Sequence, residues 1–222
     1  MRIITSKEFR GEILDRVVNR GKADLSLISL AVRKIIVDVR ENGDEALLRY
    51  TEKFDNVRLI RSKLKVSKRK IKEAYKKLER SQINALQKAA VNITRFHKKQ
   101  IRDIWSLEMA KGVTIGQVTR PLSSIGVYTP GGKAPYPSSV LMCTIPAKVA
   151  GIKKIVVCSP PEENGNINPA LLVAADMAGA TDIYRVGGAQ AIAAMAYGTE
   201  TVPKVNKIVG PGNVFVTAAK LE

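Results

Sequence analysis

From about residue 110 onwards, the chain alternates short β-branched runs with apolar helical stretches, and this alternation restricts the fold more than any other feature. Four runs are typical of strands: SIGVYT (124–129), KIVVCS (154–159), DIYRV (182–186) and KIVG (207–210). Helices are predicted between and after them, at about 138–150, 168–180, 189–198 and 214–222. Strands that alternate with helices of this length are typical of a parallel sheet with helices on both faces. We therefore predict an α/β fold for this part of the chain.

The first half of the chain has a helical pattern instead. SLISLAVRKIIVDVREN (26–42) has the 3.6-residue period of a helix that stops at Gly43, and Asp44 is predicted to be the N-cap of EALLRYTEKF (45–54). The segment GVTIGQVTRP (112–121) is predicted to be extended. We accordingly divide the chain into a mainly helical, basic N-terminal region, residues 1–110, and an α/β domain, residues 111–222.

Three glycine-rich turns each follow a predicted strand and precede a predicted helix. They are YTPGGKAPYPS (128–138), VGGAQA (186–191) and VGPGNV (209–214). Ligands of open parallel sheets bind beyond the carboxyl ends of the strands, where all three turns are expected to lie. Glycine lets backbone amides approach a ligand, and the helix N-terminus behind each turn favours an anion such as a pyrophosphate. The usual GxGxxG and GxxxxGK[ST] fingerprints are absent, so a nucleotide would need another loop arrangement.

The polar residues of these turns are Tyr128, Lys133, Tyr136, Gln190 and Asn213. Tyr128 could stack on a nucleotide or bind it through a hydrogen bond. Gln190 and Asn213 offer amides for ribose or nicotinamide groups. Both could equally serve as local caps that bond only to their own turns.

The net charge of +17 suggests a nucleic-acid partner only if the basic residues form a single face. Residues 51–100 hold 16 Lys and Arg against 4 Asp and Glu, whereas residues 121–222 hold 8 against 6. The basic block has a helical pattern, and charged helix faces are common in thermophilic proteins. A solvated helix face is therefore favoured over a nucleic-acid surface.

Few residues of this chain are suited to bind a metal. There is one histidine, His97, and the two cysteines, Cys143 and Cys158, form neither a CxxC motif nor a disulfide framework. A catalytic zinc normally needs three protein ligands, so no metal ligand and no catalytic residue is assigned. The chain has no apolar run long enough to span a bilayer and no signal-type N-terminus, which predicts a cytoplasmic protein.

Four motifs, in order, resemble the histidinol dehydrogenases of histidine biosynthesis. They are GVYTPGGKAPYPSSVLM, IPAKVAG, GGAQAIAAMAYGTETVP and KIVGPGNVFVTAAK, with a weaker match in VRENGDEALLRYTEKFD near the N-terminus. The resemblance implies a Rossmann-like, aldehyde dehydrogenase-like sheet and NAD-dependent oxidation of L-histidinol to L-histidine. It also implies that Tyr128, Gln190 and Asn213 contact NAD, and that the enzyme is a homodimer.

The resemblance also implies that part of the active site lies elsewhere. Members of the family are about twice as long, and their zinc ligands and acid/base residues lie beyond the matching half. We therefore expect this chain to be an N-terminal half that is inactive alone and exposes apolar surface that the rest would cover. The terminal Leu221-Glu222 is compatible with either a native helix end or a vector-derived tail.

Two other functions remain open. One is a non-catalytic binding module of the same fold, whose basic face binds nucleic acid or another acidic partner. The other is a different NAD-dependent oxidoreductase, such as an aldehyde dehydrogenase-like enzyme. The second has little support, because neither cysteine lies in an electropositive turn that would activate a thiolate.

Overall fold

A computed structural model describes residues 25–131 and 135–222, together with Gly11 and residues 14 and 15. Most of the turn that follows Tyr128 is therefore visible. Lys133, one of the polar residues singled out above, lies outside the described residues.

The first described element is a long helix with a kink, α1 (Leu25–Asp55). At Gly43 the backbone has φ 49° and ψ −127°, which joins two helical segments. This conformation suits glycine because a side chain would clash with its own backbone. A Cβ atom at Gly43 would also collide with the carboxylate of Glu200. The kink lies where the sequence predicts the first helix to end.

Asp44 follows the kink but does not cap its own helix, so that prediction was wrong. Its buried carboxylate accepts hydrogen bonds from the Thr199 hydroxyl at 2.7 Å and the Thr201 N–H at 3.2 Å, and from the Thr201 hydroxyl. The Arg61 Nε lies 3.4 Å from it. The Asp44 N–H donates instead to Glu200 at 2.8 Å. Partners more than 150 residues away thus replace the local bond that the sequence pattern suggested.

The remaining helices confirm the helical character of the N-terminal region and the predicted helices of the second half. They are α2 (Arg61–Leu64), α3 (Lys68–Tyr75), α4 (Arg80–Lys98), α5 (Pro137–Val149), α6 (Pro169–Ala178), α7 (Gly188–Tyr197) and α8 (Val214–Leu221). Across the ranges that the structure describes, no helix is both long and apolar enough to cross a membrane.

Six strands form two separate sheets. They are β1 (Trp105–Ala110), β2 (Val113–Gln117), β3 (Ser124–Tyr128), β4 (Lys154–Ser159), β5 (Asp182–Arg185) and β6 (Ile208–Val209). The larger sheet has the order β5-β4-β3-β6, and all its strands are parallel. The predicted parallel sheet is confirmed, with each predicted strand within one or two residues of its observed position.

Helices cover both faces of the parallel sheet. On one face, alternate residues such as Tyr128, Val156 and Tyr184 pack into a core with α1, α7 and α8. On the other face, Val127 and Val157 pack against α5 and α6. The helix α1 of the N-terminal region therefore shares a core with the α/β part of the chain, while the division at residue 110 stays a prediction.

The smaller sheet is an antiparallel hairpin of β1 and β2, and every residue of both strands is exposed. Strand β1 lies within the region predicted to be mainly helical, and the sequence analysis missed it. Trp105 lies opposite Gln117, and Leu107 opposite Ile115, so these side chains share one face of the hairpin. The described chain leaves this apolar face open.

Candidate functional site

The strand order of the parallel sheet reverses beside β3. Strands β4 and β5 continue from β3 on one side, whereas β6 returns to pair with its other edge. Ligands of open α/β sheets bind in the crevice beyond the carboxyl ends of the strands at such a point. The three glycine-rich turns follow β3, β5 and β6, so they all belong to this edge.

Gly210 brings the turn after β6 against the end of β3. Its φ of 117° is accessible almost only to glycine, and a Cβ atom there would collide with the carbonyl oxygen of Tyr128. The two strand ends therefore touch through their backbones, which leaves no room for a side chain between them.

The turns after β3 and β5 also meet, on either side of Pro160. A Cβ atom at Gly131 would lie 2.7 Å from the Pro160 Cγ, and one at Gly187 would lie 2.5 Å from its Cβ. Pro160 directly follows β4. The glycines are thus required for neighbouring turns to pack closely at this edge.

Tyr128 lies at the end of β3 and is only 4% exposed. Its hydroxyl oxygen accepts a hydrogen bond of 3.1 Å from the backbone N–H of Gly188, the first residue of α7. Burial raises the pKa of Tyr128, the bond from Gly188 lowers it, and the charge of Asp55 raises it further. The net effect is a raised pKa, so the hydroxyl keeps its proton at neutral pH and can donate it to an acceptor.

Gln190 lies in the first turn of α7 and is 1% exposed. Neither its Oε1 nor its Nε2 has a hydrogen-bond partner among the described residues. A Cβ atom at Gly188 would lie 2.5 Å from the Gln190 Oε1, so the amide lies directly over the residue that binds Tyr128. A buried amide without partners costs about 1–3 kcal/mol. Gln190 therefore does not act as a local cap, and its amide has both donor and acceptor capacity left for a ligand.

Asn213, by contrast, does cap a helix. Its side-chain oxygen accepts a hydrogen bond of 3.1 Å from the N–H of Val216, and α8 begins at the next residue. The residue is exposed. The local capping role suggested as an alternative thus applies to the side-chain oxygen of Asn213. The cap does not use its amide nitrogen.

Tyr136 lies just before α5, at the N-cap position, and is 48% exposed. Its side chain makes no capping hydrogen bond. The structure therefore joins two of the predicted residues, Tyr128 and Gln190, through Gly188, whereas Asn213 lies at the exit of the neighbouring strand β6.

The sequence analysis missed Asp55, the last residue of α1. Its Oδ2 is buried and has no partner among the described residues, and burial raises the pKa of Asp55 to about 6. The hydroxyl of Thr51, one helical turn earlier, is also buried without a partner. The only signal in the sequence is that both residues belong to YTEKFD, within the weaker N-terminal resemblance.

No three His, Cys, Asp or Glu residues in the described part of the chain lie close enough together to hold a metal ion. The thiols are also poorly suited to nucleophilic chemistry. Cys158 is buried in the sheet, and burial raises its pKa to about 12. A thiolate is therefore not available at neutral pH.

Known proteins similar to this chain are histidinol dehydrogenases. The family profile "Histidinol dehydrogenase" matches residues 18–222. The curated histidinol dehydrogenase of Methanothermobacter thermautotrophicus is 51% identical over 213 residues, which is 96% of this chain and 50% of the relative. That of Methanocaldococcus jannaschii is 49% identical over 215 residues, with the same shares covered.

A solved structure supports the same relationship. The crystal structure of histidinol dehydrogenase from Elizabethkingia anophelis is 46% identical, with a TM-score of 0.83, and the match covers 90% of this chain and 45% of that one. The chain thus spans about half the length of the relatives that it matches. With a profile match over nearly all its residues and close relatives of the same kind, this chain belongs to the histidinol dehydrogenase family.

Proposed function

We propose that this chain is the NAD-binding part of a histidinol dehydrogenase, which oxidises L-histidinol to L-histidine. The observation that carries the proposal is the unpaired, buried amide of Gln190 beside the Tyr128–Gly188 contact, at the edge where the strand order reverses. Ligand sites in this fold class lie at such edges. The relatives that match this chain over about half of their own length are named histidinol dehydrogenases.

The residues present fit a dinucleotide. NAD, when bound, would supply the acceptor for a hydride. Gln190 offers a donor and an acceptor, Tyr128 a protonated hydroxyl, and Asn213 an amide nitrogen. The close-packed glycine turns would let backbone N–H groups approach the phosphates.

The residues present do not fit zinc, since the described ranges hold no cluster of ligands for it. Oxidation of an alcohol also needs a base for the hydroxyl proton, and no described residue can be assigned that role. We therefore expect weak NAD binding and no turnover from the 222-residue chain alone. A homodimer and a cytoplasmic location are likewise predictions.

Calorimetric titration of the chain with NAD tests the cofactor assignment. Gln190→Leu should abolish measurable binding, because it removes both polar groups from the buried site. Gln87→Leu, on the exposed side of α4, is the matched control and should bind as the unaltered chain does. Equal binding by the two variants would contradict the role of Gln190.

Asn213 needs a variant that separates its two roles. Asn213→Asp keeps an oxygen for the Val216 N–H but loses the amide nitrogen. Weaker NAD binding with an unchanged melting temperature would support a ligand contact. An assay with histidinol, NAD and zinc completes the test: turnover by this chain alone would disprove its expected inactivity.

A further inference from the structure

We propose that Asp55 is a further cofactor-binding residue, whose carboxylate accepts a hydrogen bond from a ribose hydroxyl of the dinucleotide. This inference rests on the proposed function, because it assigns a contact within the same site. Three observations support it: the position of Asp55, the absence of hydrogen-bond partners among the described residues for its buried carboxylate oxygen, and the other unpaired polar groups on this face of the sheet.

Asp55 lies on the side of the sheet where the candidate site opens. It ends α1, which packs against α7 and α8, the two helices that begin in the glycine-rich turns after β5 and β6. The core that these helices share includes Tyr128. The chain just past Asp55 also reaches the carboxyl edge of the sheet, because a Cβ atom at Gly165, in the loop after β4, would lie 3.5 Å from the Val57 Cγ1.

The carboxylate of Asp55 lacks the partners that a structural role would supply. Asp44, on the same helix, shows what such a role looks like: its buried carboxylate accepts hydrogen bonds from Thr199 and Thr201 and is paired with Arg61. The Oδ2 of Asp55 is also buried but accepts no hydrogen bond within the described ranges. Because a buried, unpaired charge costs stability, its presence is best explained by a donor that arrives with a ligand.

The unpaired polar groups on the same face of the sheet indicate the kind of ligand. Tyr128 and Gln190 are joined through Gly188, and the Gln190 amide is itself unpaired. Thr51, one turn before Asp55, adds an unpaired hydroxyl. A carboxylate beside amide and hydroxyl groups repels a phosphate but accepts hydrogen bonds well from the hydroxyls of a ribose. Dinucleotide-binding folds commonly use an acidic side chain for this contact.

NAD titrations of the chain and its variants test the inference. Asp55→Asn should weaken NAD binding about ten- to hundredfold, the range expected when a charge-assisted hydrogen bond is lost. Glu52→Gln, on the exposed side of the same helical turn, is the matched control and should bind NAD normally. Asp55→Ala provides a second variant, and circular dichroism with thermal melting checks that each one folds.

Two fragments of the cofactor identify the ribose. If Asp55→Asn binds AMP more weakly than the unaltered chain does, the contact is to the adenosine ribose. If it binds nicotinamide mononucleotide more weakly, the contact is to the nicotinamide ribose. Either result supports the inference. Folded Asp55 variants that bind NAD as tightly as the unaltered chain would overturn it, while leaving the proposed function intact. No NAD binding by the unaltered chain, at any accessible concentration, would overturn both.

Discussion

Strand β3 and the strands of the hairpin β1–β2 all carry apolar side chains, but these side chains lie in opposite environments. Each residue of β3 is buried between two layers of helices, whereas each residue of β1 and β2 is exposed. Both are paired strand to strand, although the register of the hairpin shifts between Glu108 and Ala110. Pairing alone therefore does not distinguish a core strand from a surface one, and the difference lies in what packs against the side chains.

This difference predicts where the chain is stable. Apolar burial supplies most of the free energy that stabilises a fold, and an isolated two-stranded hairpin is marginal in water. The parallel sheet should therefore unfold only with the whole molecule. The hairpin should tolerate substitution, and its apolar face of Trp105, Leu107 and Ile115 is the kind of surface that proteins usually cover.

The largest contrast is expected between two glycines of positive φ. Gly210→Ala should destabilise the chain by more than about 4 kcal/mol or prevent folding, because the new Cβ would collide with the Tyr128 carbonyl. Gly112→Ala, in the hairpin turn, meets no atom within 4 Å and should cost about 1–2 kcal/mol at most, from its φ of 80° alone. Urea unfolding followed by circular dichroism measures both. Similar costs would show that the hairpin turn is packed.

A second contrast compares two leucines. Leu141→Ala, in the fully buried core beside the sheet, should cost about 2–5 kcal/mol. Leu107→Ala, in the hairpin and 55% exposed, should change the unfolding free energy by less than about 0.5 kcal/mol. Urea unfolding again measures the free energy of both variants. A cost above about 2 kcal/mol for Leu107→Ala would mean that another surface covers the hairpin.

The third prediction concerns the unpaired carboxyl group beside the sheet. The folded-state pKa of Asp55 is raised to about 6, above the roughly 3.9 of an unfolded chain. Its contribution to stability is therefore fully present below about pH 4 and is lost as the pH rises through about 6. Relative to Asp55→Asn, the unaltered chain should lose on the order of 1 kcal/mol between pH 4 and 7.5, once partial exposure is discounted. Unfolding free energies that run parallel over this range would contradict the raised pKa.

The smallest difference is expected in the quenching of the fluorescence of Trp105, the only tryptophan, between the native and the unfolded chain. Since its side chain is half exposed, acrylamide should quench it almost as efficiently in the native chain as in urea. Strong protection in the native state would show that the hairpin face is covered. Protection that grows with protein concentration would identify a second copy as the cover.

The sequence predicted what depends on local pattern and missed what depends on distant partners. The runs 124–129 and 154–159 were identified because β-branched residues are concentrated there, and the observed strands nearly coincide with them. The segment WSLEMA (105–110) also alternates apolar and polar residues, as a strand does. It follows a long helical block, however, and was included in the mainly helical region.

Single residues illustrate the same limit at the site. The strand-end position of Tyr128 and Gln190 follows from the order of predicted elements. Whether an amide has partners depends on three-dimensional packing, so the unpaired state of Gln190 and Asp55 has no signature in the sequence. Asp44 fits the pattern of a helix cap, yet its carboxylate accepts hydrogen bonds from Thr199 and Thr201 instead.

The bonds of Asp44 also bear on the order in which the chain folds. Its partners Thr199 and Thr201 lie about 155 residues further along, and contacts of such long range form late because a large loop must first close. During synthesis, the N-terminal helix would leave the ribosome well before the loop that fixes its kink at Gly43. A chain cut after residue 110 would lack these partners and also α7 and α8, against which α1 packs, so we expect α1 to remain undocked until the last third of the chain has been made.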